Sequence, residues 1–261
     1  MISLLPMSGM GSRFAKESYR LPKPFIPIMG MPMFVAAIKS FPPAERLIFI
    51  CQKVFLERFP FDEEVHRYFP GSLILAVDGV TEGQACSCLV AKGHMDPEES
   101  LLISSIDYQF VYDHEAFERL RQDQTIDVAV FTLQTKTILA QDPRGFAYCV
   151  TDGDRVTKVV EKQTISSTPE LDPAVAGTFY YRRVKDFVAG AESMIQKNIR
   201  VNNEFYVGTS INQLIERGLK VVIFPVKKFI SFGNPFELQL YQLWEDFFYH
   251  ETHHPYNGWQ K

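Results

Sequence analysis

The chain has 261 residues, of which 46% are hydrophobic and 13% aromatic, and its net charge is -4. That hydrophobic content is enough to bury a large core, which excludes a disordered or fibrous protein. The mild acidity argues against general electrostatic attraction to nucleic acid or to an anionic membrane, so any anion site must be local.

The first element is an apolar run, Ile2 to Leu5, which predicts a buried strand ending at the loop Ser8-Gly9-Met10-Gly11-Ser12. A loop with two glycines brings backbone N–H groups close to a phosphate, because neither glycine has a Cβ. The residues that follow add four cations against the single acid Glu17: Arg13, Lys16, Arg20 and Lys23. This combination predicts a triphosphate site. The alternative is an ordinary tight turn, because Gly-x-Gly alone is a weak signal.

A strand over 47–51 and another over 72–76 follow, with a helix over 33–41 before them and a helix over 85–92 after them. This alternation predicts a mainly parallel sheet with helices on its faces. Ligands in such sheets lie beyond the carboxyl ends of the strands, which is where Gln52 falls. Gln52 is either a hydrogen-bonding partner of a base or an exposed strand-end amide.

The next strand core, 101–103, runs out to Asp107. A carboxylate at the end of a buried strand suits magnesium, which takes oxygen ligands and often uses one or two protein carboxylates. The alternative is that Asp107 caps the following turn.

From residue 126 onward the pattern changes, because strands over 126–133, 146–150, 156–160 and 175–181 have no long helix between them. They predict a small antiparallel extension. Helices are predicted over 184–195 and 209–217, then a strand over 220–226. The last helix carries Phe236, Leu240, Leu243, Trp244 and Phe247. We expect its apolar side to pack on the domain, with any exposed remainder a candidate homodimer surface.

The four cysteines, Cys51, Cys86, Cys88 and Cys149, lack the usual zinc spacing and are interpreted as free thiols. The N-terminal apolar run is too short for a signal peptide, and no apolar run approaches the roughly 20 residues that span a bilayer. We therefore expect a soluble, cytoplasmic protein.

Several motifs occur in order along nearly the whole chain: the glycine loop, Pro22-Lys23-Pro24, Thr81-Glu82-Gly83-Gln84-Ala85, Asp107, Glu161-Lys162, Ala176-Gly177 and Gly233-Asn234-Pro235. Together they resemble the superfamily of nucleotidyltransferases that join a nucleoside triphosphate to a sugar 1-phosphate, the nucleotide-sugar pyrophosphorylases. The resemblance is strongest to the bacterial branch found with capsule and surface-polysaccharide genes. It implies a Rossmann-like, GT-A-like mixed sheet in a single domain over 1–261. Within it, 1–133 would bind nucleotide, 134–235 would bind the acceptor, and 236–261 would form a helix and tail.

The resemblance also implies roles for residues. Arg13 and Lys23 would be catalytic, with the glycine loop (Ser8, Gly9, Met10, Gly11 and Ser12) and Gln52, Gly83 and Gln84 binding the nucleotide. Asp107 would hold Mg2+. The acceptor, a sugar 1-phosphate or another phosphorylated small molecule, would be bound by Glu161, Lys162, Gly177, Glu204 and Tyr206. The base and the acceptor are not identified by these motifs.

One departure from the family pattern is Ser231, which stands where many members have an Asp that is a second magnesium ligand. Either Asp107 suffices with phosphates and water, or a second carboxylate comes from elsewhere, or activity is weakened. Alternatives to the sugar-phosphate enzyme are a cytidylyltransferase for a non-sugar phosphate and a non-catalytic sensor of nucleotide sugars. A glycosyltransferase ranks low, because no Asp-x-Asp motif is present.

Overall fold

The computed structural model describes residues 1–9, 11–134, 142–251 and 253. Contacts divide the chain into two compact units. The sheet unit comprises Met1–Gly9, Pro42–Ser105 and Val111–Phe229, and the small unit comprises Met10–Phe41, Ile106–Phe110 and Ile230–Lys261. The division of the chain into nucleotide and acceptor parts stays a prediction.

The strands of the described residues are, in chain order, β1 (Ile2–Pro6), β2 (Pro27–Ile28), β3 (Met31–Pro32), β4 (Arg46–Gln52), β5 (Leu73–Val77), β6 (Leu101–Ser104), β7 (Tyr108–Val111), β8 (Val128–Leu133), β9 (Ala147–Asp152), β10 (Arg155–Glu161), β11 (Ala174–Tyr181), β12 (Val221–Pro225) and β13 (Lys228–Ser231).

The α-helices of the described residues are α1 (Ser12–Lys16), α2 (Met33–Ile38), α3 (Lys53–Arg58), α4 (Phe61–Tyr68), α5 (Gln84–Leu89), α6 (His114–Gln122), α7 (Val184–Gln196), α8 (Val207–Glu216) and α9 (Pro235–His250). Among these described elements, no helix has the length and apolar character needed to cross a bilayer. The apolar pattern of the sequence did not predict α1, α3, α4 or α6.

The sheet unit is built on nine strands in the order β5-β4-β1-β6-β11-β8-β12-β10-β9. The pairs β4–β5, β1–β4, β1–β6 and β8–β12 are parallel, whereas β11 runs antiparallel to both β6 and β8. The predicted mixed sheet is therefore confirmed, but its predicted mainly parallel character is not, because β10 also runs antiparallel to β12 and to β9. Every residue of β6 and of β8 is buried, as expected for strands covered on both faces.

The predicted small antiparallel extension differs from the structure in one respect. β9 pairs with β10 and also with β11 through Ala174 and Tyr148, so β11, β8, β12, β10 and β9 close partly into a barrel. The register of β11 shifts between Val175 and Phe179, around Gly177 at φ 87°. A bulge bends a strand and increases its twist, which lets the sheet curve back on itself.

The core of the sheet unit lies between the sheet and helices α5, α7 and α8, with Cys88, Phe187, Ile211 and Leu214 fully or almost fully buried in it. All four cysteines are free; Cys51, Cys88 and Cys149 are buried, as expected for structural thiols, whereas Cys86 is half-buried.

The expected packing of α9 is wrong. Its buried residues are Pro235 and Leu238, whereas the five apolar residues singled out in the sequence are exposed: Phe236, Leu240, Leu243, Trp244 and Phe247. A helix with apolar residues on more than one side buries only the side that meets a neighbour. The amino-acid pattern alone did not identify that side.

The loop before α5 is joined to the segment before α8 by backbone hydrogen bonds. Phe205 N donates to Glu82 O at 2.8 Å, and Ala85 N donates to Phe205 O at 3.0 Å. Gly83 lies between these bonds at φ +133°, and a Cβ there would lie 2.5 Å from Phe205 N. This close approach of two backbones requires glycine at position 83.

We predict that Gly83→Ala lowers the free energy of unfolding by roughly 1–3 kcal/mol, because the new methyl group meets backbone that has no rotamer by which to move away. Urea denaturation of the purified variant measures this. The matched control is Gly79→Ala in the same loop, where an added Cβ meets no atom within 4 Å. Equal stabilities of the two variants would contradict the packing argument.

Candidate functional site

An ion pair occupies the centre of the small unit. Lys23 Nζ lies 2.6 Å from Asp107 Oδ2 and donates a second hydrogen bond to Gly233 O at 3.0 Å. The ammonium group also lies 5.5 Å from the centroid of the Phe14 ring. Both charged side chains keep between a fifth and a third of their surface exposed (21% and 29%), so they remain accessible to a ligand. Three segments far apart in sequence thus converge on one cation.

The glycine loop places Gly11 directly against this lysine. Gly11 has φ +57°, and a Cβ there would lie 3.2 Å from Lys23 Cβ. Glycine is therefore required both by the left-handed backbone and by the close approach. Ser12 and Arg13 begin α1 with exposed side chains, and Gly9 is exposed. Met10 lies outside the described residues.

Oxygen donors surround the missing side chain of Gly233. A Cβ there would lie 3.1 Å from Asp107 Oδ2 and 3.4 Å from Ser231 Oγ. Ser231 Oγ donates to Glu237 Oε2 at 2.7 Å. Carboxylate and hydroxyl oxygens are the donors that magnesium prefers, so this set fits the metal. Among the described residues no group of three or more His, Cys, Asp or Glu side chains forms a metal cage. Magnesium at Asp107 would therefore depend on substrate phosphates and water as well, which is its usual mode of binding.

In the sheet unit, a polar network lies at the carboxyl ends of β1 and β4. Gln52 is buried and its Nε2 donates to Ser8 O at 2.7 Å. Ser8 Oγ shares a hydrogen bond with Ser87 Oγ at 2.8 Å, and Ser87 Oγ lies 2.6 Å from Thr81 Oγ1. The idea that Gln52 is an exposed strand-end amide is wrong, because the amide is used to hold the start of the glycine loop.

The predicted base-binding residues lie at the start of α5. Gly83 packs against Phe205, which gives this glycine a structural reason independent of any base. Gln84 Nε2 donates to Ser105 Oγ at 3.1 Å, just beyond the end of β6. Both residues thus lie near the carboxyl edge of the parallel strands, as predicted for the nucleotide side of the fold.

The predicted acceptor residues Glu161 and Lys162 follow one another at the end of β10. A Cβ at Gly208, in the first turn of α8, would lie 2.4 Å from Glu161 Oε1, so the carboxyl group fills the space left by that glycine. Lys162 has φ +56°, an uncommon conformation for a residue with a side chain, and its Nζ donates to Gly145 O. The same Nζ lies 5.8 Å from the centroid of the Tyr206 ring.

Glu161, Lys162, Glu204 and Tyr206 form a group that we call the acceptor cluster. The surroundings of Glu161 and Tyr206 raise the pKa of each. Burial raises the pKa of Glu161 to about 7, with the charge of Lys162 opposing the rise. Burial also raises the pKa of Tyr206 to about 12, helped by the charges of Glu204 and Glu161. Tyr206 is therefore a neutral hydroxyl at pH 7, and Glu161 changes between its neutral and charged forms near pH 7.

The structure brings some of the predicted residues together and leaves others apart. Gly11, Lys23 and Asp107 meet in the small unit. The sheet unit assembles two groups. One is Ser8 with Gln52, and the other is the acceptor cluster. Gly177 lies in the bulge of β11, where its carbonyl accepts from Ser105 N at 3.4 Å, and Glu204 is exposed.

Three residues of these networks were missed from the sequence: Ser87, Gly208 and Glu237. Glu237 had a local signal, because Asn234 three residues earlier accepts from Glu237 N as a helix cap. For Ser87 and Gly208, the partners are far along the chain, and no local pattern indicates them.

We predict that Glu161→Gln changes the pH dependence of stability. The carboxyl pKa is raised in the folded chain, so its contribution to stability is present at low pH and is lost as pH rises through about 7. The glutamine amide does not ionise, so its burial causes no such loss of stability at high pH. Relative to wild type, the variant should gain on the order of 1–3 kcal/mol between pH 5 and pH 8.5.

Thermal melting across this pH range measures the gain, with the exposed Glu57→Gln as the matched control. A difference between variant and wild type that stays constant with pH would show that Glu161 is ionised throughout.

No family model and no curated protein sequence matches the chain. Solved structures do match over nearly its full length. A nucleoside-diphosphate-sugar pyrophosphorylase from Vibrio cholerae RC9 superposes with a TM-score of 0.75 at 22% identity, covering 92% of this chain and 99% of that one.

Two further structures are an inositol-1-phosphate CTP transferase from T. maritima and a UDP-glucose pyrophosphorylase complexed with UDP-glucose. The first has a TM-score of 0.71 at 15% identity, with 93% of this chain and 94% of that chain covered. The second has a TM-score of 0.69 at 14% identity, with 94% and 98% covered. The chain thus has the mixed α/β fold of the nucleotidyltransferases.

Proposed function

We propose that the protein is a magnesium-dependent nucleotidyltransferase that joins a nucleoside triphosphate to a sugar 1-phosphate and releases pyrophosphate. The observation that carries the proposal is the Lys23–Asp107 pair. A cation and a carboxylate beside a two-glycine loop, with part of their surface exposed, are the groups that phosphoryl transfer uses for charge neutralisation and metal binding. The fold supports the same reaction class.

The reaction needs no general base, because the acceptor phosphate is already an anion. One of its oxygens attacks the α-phosphorus of the triphosphate in line, and the bond from the α-phosphorus to the bridging oxygen of the leaving pyrophosphate breaks. Catalysis then rests on positioning and on preorganised charge. Bound magnesium would supply neutralisation of phosphate oxygens, with Asp107 as its protein ligand.

Residues of the small unit take the phosphate roles in this proposal. Arg13 and the backbone N–H groups of the glycine loop hold the β- and γ-phosphates. Lys23 neutralises the α-phosphate and the attacking phosphate. In the structure, the Lys23 ammonium group pairs with Asp107 Oδ2. The phosphates would therefore bind a cation whose position is already fixed.

Residues of the sheet unit take the recognition roles. Gly83 and Gln84 contact the base, with Ser8 and Gln52 supporting the loop. Lys162 holds the acceptor phosphate, while Glu161, Tyr206 and Glu204 bind hydroxyl groups. Gly177 leaves room for a ring to lie on the backbone.

A second candidate is a cytidylyltransferase acting on a phosphorylated molecule that is not a sugar. It is favoured by the likeness to the inositol-1-phosphate CTP transferase, whose TM-score of 0.71 is close to the 0.75 of the sugar pyrophosphorylase. Both candidates use the same phosphate chemistry and differ in the acceptor.

The biological setting is an extension of the proposal. The sequence resemblance to the capsule and surface-polysaccharide branch favours a nucleotide sugar made in the cytoplasm for polymer synthesis. We also expect a homodimer through the exposed apolar side of α9. Apolar residues that alternate three and four positions apart along a helix suit pairing with a second helix.

The test is pyrophosphate release with magnesium, crossing the four common nucleoside triphosphates with a panel of sugar 1-phosphates and other phosphorylated small molecules. We expect release with one nucleotide and one acceptor class. Binding of a triphosphate without release for any acceptor would favour a sensor over an enzyme.

We predict that Lys23→Ala lowers turnover by roughly 10²- to 10³-fold, the order seen when one preorganised charge-stabilising group is removed. Steady-state pyrophosphate release measures it. The exposed Lys39→Ala, in the same unit, is the matched control and should retain wild-type turnover. A folded, fully active Lys23→Ala protein would contradict the catalytic role proposed for Lys23.

A further inference from the structure

The carboxylate of Glu237 is hydrogen-bonded to Ser231, and Ser231 borders the same glycine, Gly233, as the candidate magnesium ligand Asp107. Ser231 Oγ donates to Glu237 Oε2 at 2.7 Å, and the same Ser231 Oγ lies 3.4 Å from the point where a Cβ of Gly233 would be. Asp107 Oδ2 lies 3.1 Å from that point. The hydroxyl group that anchors Glu237 is therefore a near neighbour of the Asp107 carboxylate.

The ordinary role of an acid at this helix position does not account for the contact. Glu237 is the third residue of α9, and Asn234 caps the helix by accepting from Glu237 N at 3.0 Å. In a capping box, the acid side chain would return to the backbone N–H of the cap residue. Here the carboxylate is directed to Ser231 instead.

We infer that Glu237 supplies the second carboxylate of the magnesium site, with Ser231 orienting it; the inference rests on the proposed function. Serine at position 231 has a hydroxyl group and no carboxylate, but this hydroxyl group donates to a carboxylate that comes from the next helix. Mg2+ is commonly bound by one or two carboxylates plus substrate phosphates and water, so Asp107 and Glu237 complete the protein's share.

The geometry also explains Gly233. Any side chain at position 233 would enter the space between Asp107 Oδ2 and Ser231 Oγ. A cation bound by these two groups would lie in the same space. Glycine at this turn therefore keeps the oxygen donors accessible to a metal.

The experiment measures Mn2+ binding by electron paramagnetic resonance to the protein saturated with a nucleoside triphosphate, with Mn2+ as the probe for Mg2+. Glu237→Gln keeps the shape and hydrogen-bonding capacity of the side chain but removes its charge. We expect its affinity for Mn2+ to fall tenfold or more, since loss of an outer-shell partner alone costs 10- to 100-fold. Asp246→Asn, an exposed acid on the same helix, is the matched control and should bind like wild type.

A second pair of variants separates metal binding from helix capping. Ser231→Asp places a carboxylate directly beside Asp107, so adding Glu237→Gln to it should cost little affinity. A tenfold loss in the wild-type background and little loss in the Ser231→Asp background would support the inference. Equal losses in both backgrounds would overturn it, because they would show that Glu237 acts through the helix.

Asp107→Asn distinguishes this inference from the proposed function. If Asp107→Asn weakens Mn2+ binding and Glu237→Gln does not, the second ligand is overturned and the metal role of Asp107 stands. If neither variant weakens binding, or wild type binds no Mn2+, both are overturned.

Discussion

Lys23 and Asp107, held 2.6 Å apart, are the opposite charges around which the small unit is arranged. Two glycines make room for them, Gly11 beside the lysine and Gly233 beside the aspartate. A partly exposed ion pair contributes only about 0–1 kcal/mol to stability, because water screens it and two long side chains lose freedom. The backbone at both glycines is adapted to a pair that adds little stability, which agrees with the proposed role of Lys23 and Asp107 in binding phosphate and metal.

The sheet unit is assembled through backbone contact as much as through apolar burial. The two hydrogen bonds between Phe205 and the loop of Glu82 and Ala85 fix the start of α5 beside the start of α8. Side chains predicted to serve the base and the acceptor are thereby positioned by one shared contact. A substitution that separates these backbones should disturb both recognition roles, even though Gly83 itself carries no side chain.

Local rules of sequence and structure are broken at several positions, and some of these positions lie in the candidate site. Lys162 adopts a left-handed backbone at φ +56°, and Glu161 is a carboxyl group whose burial raises its pKa to about 7. Ser231 directs a helix-capping acid away from its cap. Such departures cost free energy and persist where the surrounding structure imposes them, which is common at binding and catalytic sites.

The sequence by itself determined the alternation of strands and helices and the strand ends near Ser8 and Asp107, because apolar periodicity and glycine loops are local signals. Only the tertiary structure decided the barrel closure of β9 on β11, the burial of Gln52, the exposure of the apolar side of α9 and the approach of Glu237 to Ser231. Each depends on which distant or neighbouring surface a residue meets. A periodic pattern indicates whether a face of a helix or strand is apolar or polar, but the fold decides which partner covers that face.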